Sequence, residues 1–310
     1  DPARRALCVF CRIYPDRLAG RAPGSSPAAR AGTAHQADTR CPGPNPLARS
    51  PQRSESGQHR APGGRGRRVM TTVSEVTTTT VLSATSPTPA IHRQAGWLAH
   101  NDDQTFYWLH QPADQPVTRL VVLCPPIGYE YVHSHRTLKF LADLLAEAGC
   151  CVARLDYPGT GNAGSDLTSP NLVNRWIDAI SAVRNDLKRQ RPDLTCTLMG
   201  LRLGATLAVQ VTQPGDDLVL IEPVASGKRL VRELTAAARF SEVQSQSDFI
   251  ESGGFIYTEA TLAALSALSI SGSDLQPAKR VLCFSEQPAK ALQASLAEVD
   301  AVCQPYQGYA

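Results

Sequence analysis

The pattern of apolar and polar positions changes at about residue 95. From there on, short apolar runs alternate with stretches whose apolar residues recur every three or four positions. Residues 97–101 and 105–110 read as antiparallel strands around an Asn101-Asp102-Asp103 turn. Residues 120–124 are a continuous apolar run halted by Pro125-Pro126, the pattern of a buried strand. A helix is predicted from about Ser134 to Ala148, because Leu138, Leu141, Leu145 and Ala148 share one face and Gly149 stops it. After a strand over 151–155, Ser169 reads as a cap and Pro170 as the first turn of a helix. Its stripe is Val173, Trp176, Ile177, Ile180, Val183 and Leu187.

Strand 195–199, helix 205–211, strand 218–221 and strand 280–285 continue the rhythm. A helix to about Ala297 and the start of a last strand at Val302 follow. Such alternation predicts an α/β fold class: a mostly parallel sheet with helices on both faces. Residues 225–273 interrupt it, with helices over 228–240 and 258–268 and a polar stretch at 242–252. An insertion there, between two core strands, reads as a helical cap lying over a pocket. The domain is accordingly set at 91–310, behind a leader of residues 1–90.

Charge separates leader from domain more sharply than hydropathy does. Residues 1–69 hold 13 Arg, no Lys and only four acids, whereas the rest of the chain carries more acids than bases. The overall net charge of +3 therefore averages a basic leader with an acidic domain, and a nucleic-acid partner does not follow from it. Arg, Pro, Gly and Ala supply 41 of those 69 residues, too little apolar surface to offset chain entropy. GC-rich codons in an upstream frame give the same composition. Residues 1–69 are thus read as non-coding and Met70 as the start, with a basic arm as the alternative. No run reaches the roughly 18 apolar residues of a membrane span. The nine Cys are irregularly spaced and fit reduced thiols in a cytoplasmic protein, and no metal or cofactor site is expected.

Parallel sheets bind ligands at the C-terminal ends of their strands, so three loops carry the chemistry. They are Cys124-Pro125-Pro126-Ile127-Gly128-Tyr129-Glu130, the stretch from Asp156 through Gly159 and Gly161 to Gly164, and Gly200-Leu201-Arg202-Leu203-Gly204. The glycines at 159, 161 and 164 superficially match a dinucleotide motif. That motif needs a helix to open at once, whereas here the helix begins only near Pro170. The third loop has the form of a nucleophile elbow, in which flanking glycines let a strand turn sharply into a helix.

With this elbow the chain resembles the α/β-hydrolase superfamily, from about Gly96 to the C-terminus. Within its serine-aminopeptidase-like branch the chain is most similar to the exosortase A system-associated hydrolases, where a Gly-Leu-Arg-Leu-Gly elbow is familiar. The resemblance implies hydrolysis of an ester, thioester or amide. It places Ile127, Gly128, Tyr129, Glu130, His135 and Leu203 around the oxyanion and pocket loop. Asp156, Gly159 and Gly161 then lie in the loop after the fourth sheet strand.

The catalytic triad implied by that resemblance is degenerate. Arg202 stands at the nucleophile position, and a guanidinium has no lone pair with which to attack a carbonyl. The acid is Glu286 or Glu222. All seven His precede the elbow, so the triad His is expected beyond Ala310 and the chain is read as C-terminally truncated.

Among other groups, Cys124 reads as a buried structural thiol, and Asp156 as capping its own glycine loop. His133 and His135 are too close in sequence to form a helical metal pair, and one of them is expected to bond Glu130. The alternative to a hydrolase is a non-catalytic protein that binds an acyl or anionic ligand or a protein partner. Arg202 then forms an anion site with the adjacent helix N-terminus, or an internal pair with Glu130, Asp156, Glu222 or Glu286. For the leader, hydrogen exchange is expected to be fast throughout residues 20–65; protected amides across that span would refute the assignment.

Overall fold

A computed structural model describes residues 90–240, 248–299 and 301–305. The leader therefore lies outside the described residues, apart from Ala90. The strands are β1 (Ile91–His100), β2 (Asp103–Pro112), β3 (Arg119–Cys124), β4 (Cys150–Asp156), β5 (Cys196–Leu201), β6 (Asp217–Ile221), β7 (Phe249–Ser252), β8 (Phe255–Thr258), β9 (Arg280–Phe284) and β10 (Ala301–Gln304). The helices are α1 (Gly128–Glu147), α2 (Leu172–Gln190), α3 (Leu203–Val211), α4 (Gly227–Ala238), α5 (Glu259–Ala267), α6 (Gly272–Leu275) and α7 (Lys290–Ala297).

Among the described residues, an eight-stranded sheet runs in the order β1-β2-β4-β3-β5-β6-β9-β10. The β1–β2 hairpin adds antiparallel to β4, and every later neighbour pair is parallel. Along β3, Leu120, Val122 and Cys124 face the α2–α3 layer, where Trp176, Ile180 and Leu207 are buried. Val121 and Leu123 face the opposite layer with Leu138, Leu141 and Leu145 of α1. A strand with both faces covered has no polar side, which is why residues 120–124 read as an unbroken apolar run.

The strand origins are tied together below the sheet. Asp217, wholly buried, receives Arg119 Nη1 at 2.6 Å and Arg280 Nη2 at 2.9 Å, joining the starts of β3, β6 and β9. On the α1 side, Asp143 accepts from Arg93 Nε at 2.8 Å, from His110 Nδ1 at 2.8 Å and from Lys139 Nζ at 3.1 Å. This carboxylate fastens the antiparallel hairpin to α1.

Three elements differ from the sequence pattern. Helix α1 begins at Gly128 rather than near Ser134, so Gly128, Tyr129 and Glu130 form its first turn. Its N-cap, Ile127, has no side chain able to accept a hydrogen bond, and Ser134 lies inside the helix with Oγ donating to Tyr131 O. Ser169 does not cap α2; its Oγ accepts from Asp166 N, and the helix starts after Asn171 at φ 54°. The stretch after β6 holds the antiparallel hairpin β7–β8 as well as helices α4 and α5. The aromatic and β-branched residues at 255–258 supply that hairpin.

Burial alone would raise the Asp143 carboxyl, but the bonds from Arg93, His110 and Lys139 outweigh it and hold it at about 2. Its stabilisation is complete above the unfolded value of 3.8 and fades as pH falls toward 2. Asp143→Asn is therefore expected to lose about 1–2 kcal/mol at neutral pH and to flatten the acid limb of the stability profile. Urea unfolding as a function of pH checks this.

Candidate functional site at the elbow

Strand β5 ends at Leu201, Arg202 turns the chain with φ 55° and ψ −121°, and α3 begins at Leu203. Both flanking glycines are required by contact. A Cβ on Gly200 would lie 2.3 Å from Ala205 Cα, and one on Gly204 would lie 2.1 Å from the carbonyl oxygen of Cys124. Helix α3 is thus pressed against the ends of β3 and β5, and the chain reverses within one non-glycine residue at positive φ. The Arg202 amide donates to Ile221 O at 2.9 Å, anchoring the turn to the end of β6. Leu203 is fully buried, while its N–H and that of Gly204 belong to the unpaired first turn of α3.

The Arg202 guanidinium rises from this turn into a cluster of carboxylates. Nε donates to Glu130 Oε1 at 2.8 Å, and Nη2 lies 3.5 Å from Glu233 Oε2 on α4. Glu233 also accepts from Arg229 Nε at 2.9 Å, one helical turn earlier. Burial works against the charge on Arg202, but Glu130, and after it Glu233 and Glu222, outweigh burial and raise its pKa. A cavity of about 140 Å³ adjoins it, with Arg202, Glu222, Arg229, Glu233 and Ser285 among its charged and polar walls. Val224, Leu230 and Leu292 line the apolar part.

Of the two candidate acids, Glu222 lines the cavity, while Glu286 is exposed. Glu222, at φ 44°, accepts from Ser285 Oγ at 3.1 Å and from the Glu286 backbone N–H at 2.6 Å. Gly128, at φ 59°, lies beneath the β7–β8 hairpin: a Cβ there would stand 2.1 Å from Tyr257 Oη. Ile127 is buried beside it, and burial, then Glu130, raises the Tyr257 phenol. Tyr129 points outward, its ring tilted 52° against His133 with ring centroids 4.0 Å apart.

Asp156 lies apart from Arg202. It accepts from Tyr131 Oη at 2.7 Å and from Asn162 N at 3.0 Å, and it leaves no room for a Cβ on Gly161. Gly159, at φ 81°, also sits close to the Asp166 carbonyl: a Cβ there would stand 2.9 Å from the Asp166 carbonyl carbon. His135 contacts Arg154 Nη1 at 3.4 Å, and its pKa is lowered by burial and then by that guanidinium. The expected bond from His133 or His135 to Glu130 is not made, because Glu130 turns toward Arg202 while the two imidazoles face Tyr129 and Arg154. Burial raises the Cys124 thiol, which is 1% exposed. Glu233, Arg229 and Tyr257 were not foreseen as site residues. The Arg229–Glu233 spacing of one turn was the available signal. No group of three or more metal-ligating side chains occurs among the described residues. None of their helices is long and apolar enough to cross a membrane.

No family model matches the chain, and no curated protein matches it. Its architecture does match solved structures. The ferulic acid-bound Est1E of Butyrivibrio proteoclasticus aligns at a TM-score of 0.51 with 14% identity, over 68% of this chain and 89% of that one. An esterase of Pyrococcus furiosus aligns at 0.50 with 13% identity, over 70% and 83%. The chain has the α/β-hydrolase fold. Identity this low carries the fold and not the chemistry.

Because the Glu130 and Glu233 side chains remain 42% and 44% exposed, the network around Arg202 is only partly desolvated. Arg202→Met is expected to lower stability by about 1–2 kcal/mol, less than the 3–5 kcal/mol of a fully buried broken pair. Denaturant unfolding of the variant provides the measurement.

Proposed function

We propose that this chain is a hydrolase-fold protein without acyl-transfer chemistry at its elbow, and that its cavity binds a small acyl carboxylate. The observation that carries this reading is Arg202 at the nucleophile position, already engaged by Glu130 and Glu233. A guanidinium cannot be acylated, and among the described residues no imidazole lines the cavity to act as a base. The ligand carboxylate meets Arg202, and its short hydrocarbon chain runs along Val224, Leu230 and Leu292.

Glu233 is the looser of the two partners and is the one the ligand displaces. As Glu233 sits on α4, the segment 225–273 then serves as the cap of the site. The elbow residues Gly200-Leu201-Arg202-Leu203-Gly204 support kinship with the exosortase A system-associated hydrolases. The buried Cys124, Cys151, Cys196 and Cys283 thiols support a reducing, cytoplasmic setting.

Calorimetric titration with butyrate tests the reading. Binding is expected to the wild-type chain, to be lost in Arg202→Met, and to tighten about tenfold in Glu233→Gln, where the competing charge is gone. Equal binding by all three would refute the site. Labelling of a serine by a fluorophosphonate, or turnover of nitrophenyl butyrate, would restore the hydrolase reading.

A further inference from the structure

Beside this site, the sheet edge carries a pair of cysteines with contrasting surroundings. Cys283 of β9 and Cys303 of β10 are register partners on adjacent parallel strands. Residues in register on neighbouring strands project to the same face, about 4.8 Å apart at their Cα atoms. That separation falls within the roughly 4.4–6.8 Å window for a disulfide. Both thiols are free; Cys283 is fully buried and Cys303 is exposed.

We propose that Cys283 and Cys303 form a reversible redox site, oxidised by low-molecular-weight disulfides and closed as a cross-strand bond. The exposed Cys303 thiolate attacks the oxidant, breaking its S–S bond and releasing one thiol. Cys283 then loses its proton and attacks the Cys303 sulfur of the mixed disulfide, forming the internal bond and expelling the second thiol. Two protein thiols and one small disulfide become one protein disulfide and two small thiols, so the electrons balance.

The order of attack follows from environment. Burial, and after it the neighbouring Cys303, raises the Cys283 thiol, keeping it protonated and out of contact with solvent oxidant. Cys124, Cys151 and Cys196 are also buried, and their register partners on β3 and β5 are Gly200 and Leu120 rather than cysteines. The bond would act on the elbow cavity through two short steps. Ser285 N donates to Gln304 O at 3.1 Å, next to Cys303, and Ser285 Oγ donates to Glu222 in the cavity wall. Fixing β10 to β9 thereby restrains the backbone that holds the Glu222 carboxylate.

The test is oxidation of the full chain by glutathione disulfide in mildly alkaline buffer, followed by intact mass and peptide mapping. Wild-type protein should yield a Cys283–Cys303 linked peptide that a dithiol reductant reverses. Cys283→Ser should stop at a stable glutathione adduct on Cys303. In Cys303→Ser, oxidation of Cys283 should slow at least about tenfold, because the accessible attacking thiolate is lost. A persistent adduct on wild-type Cys303 without internal closure would overturn the proposal. So would pairing of Cys303 with another cysteine, or no modification of Cys303 at all. Butyrate binding by the reduced protein does not depend on this pair, so the two readings fail separately.

Discussion

The close approach of helix α3 to the ends of β3 and β5 is the constraint on which the site depends. A Cβ at Gly204 would overlap the Cys124 carbonyl, and one at Gly200 would overlap Ala205. With both positions reduced to glycine, the strand turns into the helix within one residue. That residue must then accept φ 55° and stand clear of the sheet. The same approach leaves the first N–H groups of α3 unpaired beside the turn, together with the positive end of its dipole. Whatever side chain occupies position 202 is presented to the cleft by backbone geometry alone.

A guanidinium in that place adds to the positive charge of the turn. A positive helix terminus and a positive side chain reinforce each other, so the surrounding elements contribute acids. Glu130 comes from the first turn of α1, Glu233 from α4, and Glu222 from the end of β6. Their joint effect on the guanidinium exceeds the opposition from burial. The aromatic hairpin contributes closure, with Tyr257 seated on Gly128. The cleft is a charge-compensated pocket with a guanidinium at its centre.

Most of the layer architecture was legible in the chain. The unbroken run at 120–124 and the stripe from Val173 to Leu187 reported burial on both faces of a strand and on one face of a helix. These are periodicities of local geometry, and the sheet strands β3, β5, β6 and β9 followed them within a residue or two. The beginning of α1 was not legible, since Ile127 offers no capping oxygen and the first turn is set by Gly128 packing under Tyr257. The hairpin β7–β8 was missed because its short strands show no clear alternation.

The sequence by itself determined the α/β class, the position of the elbow and the arginine at its turn. Each follows from residue type and short-range spacing. Only the tertiary structure decided which acids meet Arg202: the sequence left Glu130, Asp156, Glu222 and Glu286 open, and the fold brings up Glu130 together with Glu233, which the sequence did not single out. Likewise, only strand register brought Cys283 and Cys303 together. Contacts between residues distant in the chain are set by how the layers stack, and no local pattern encodes that distance.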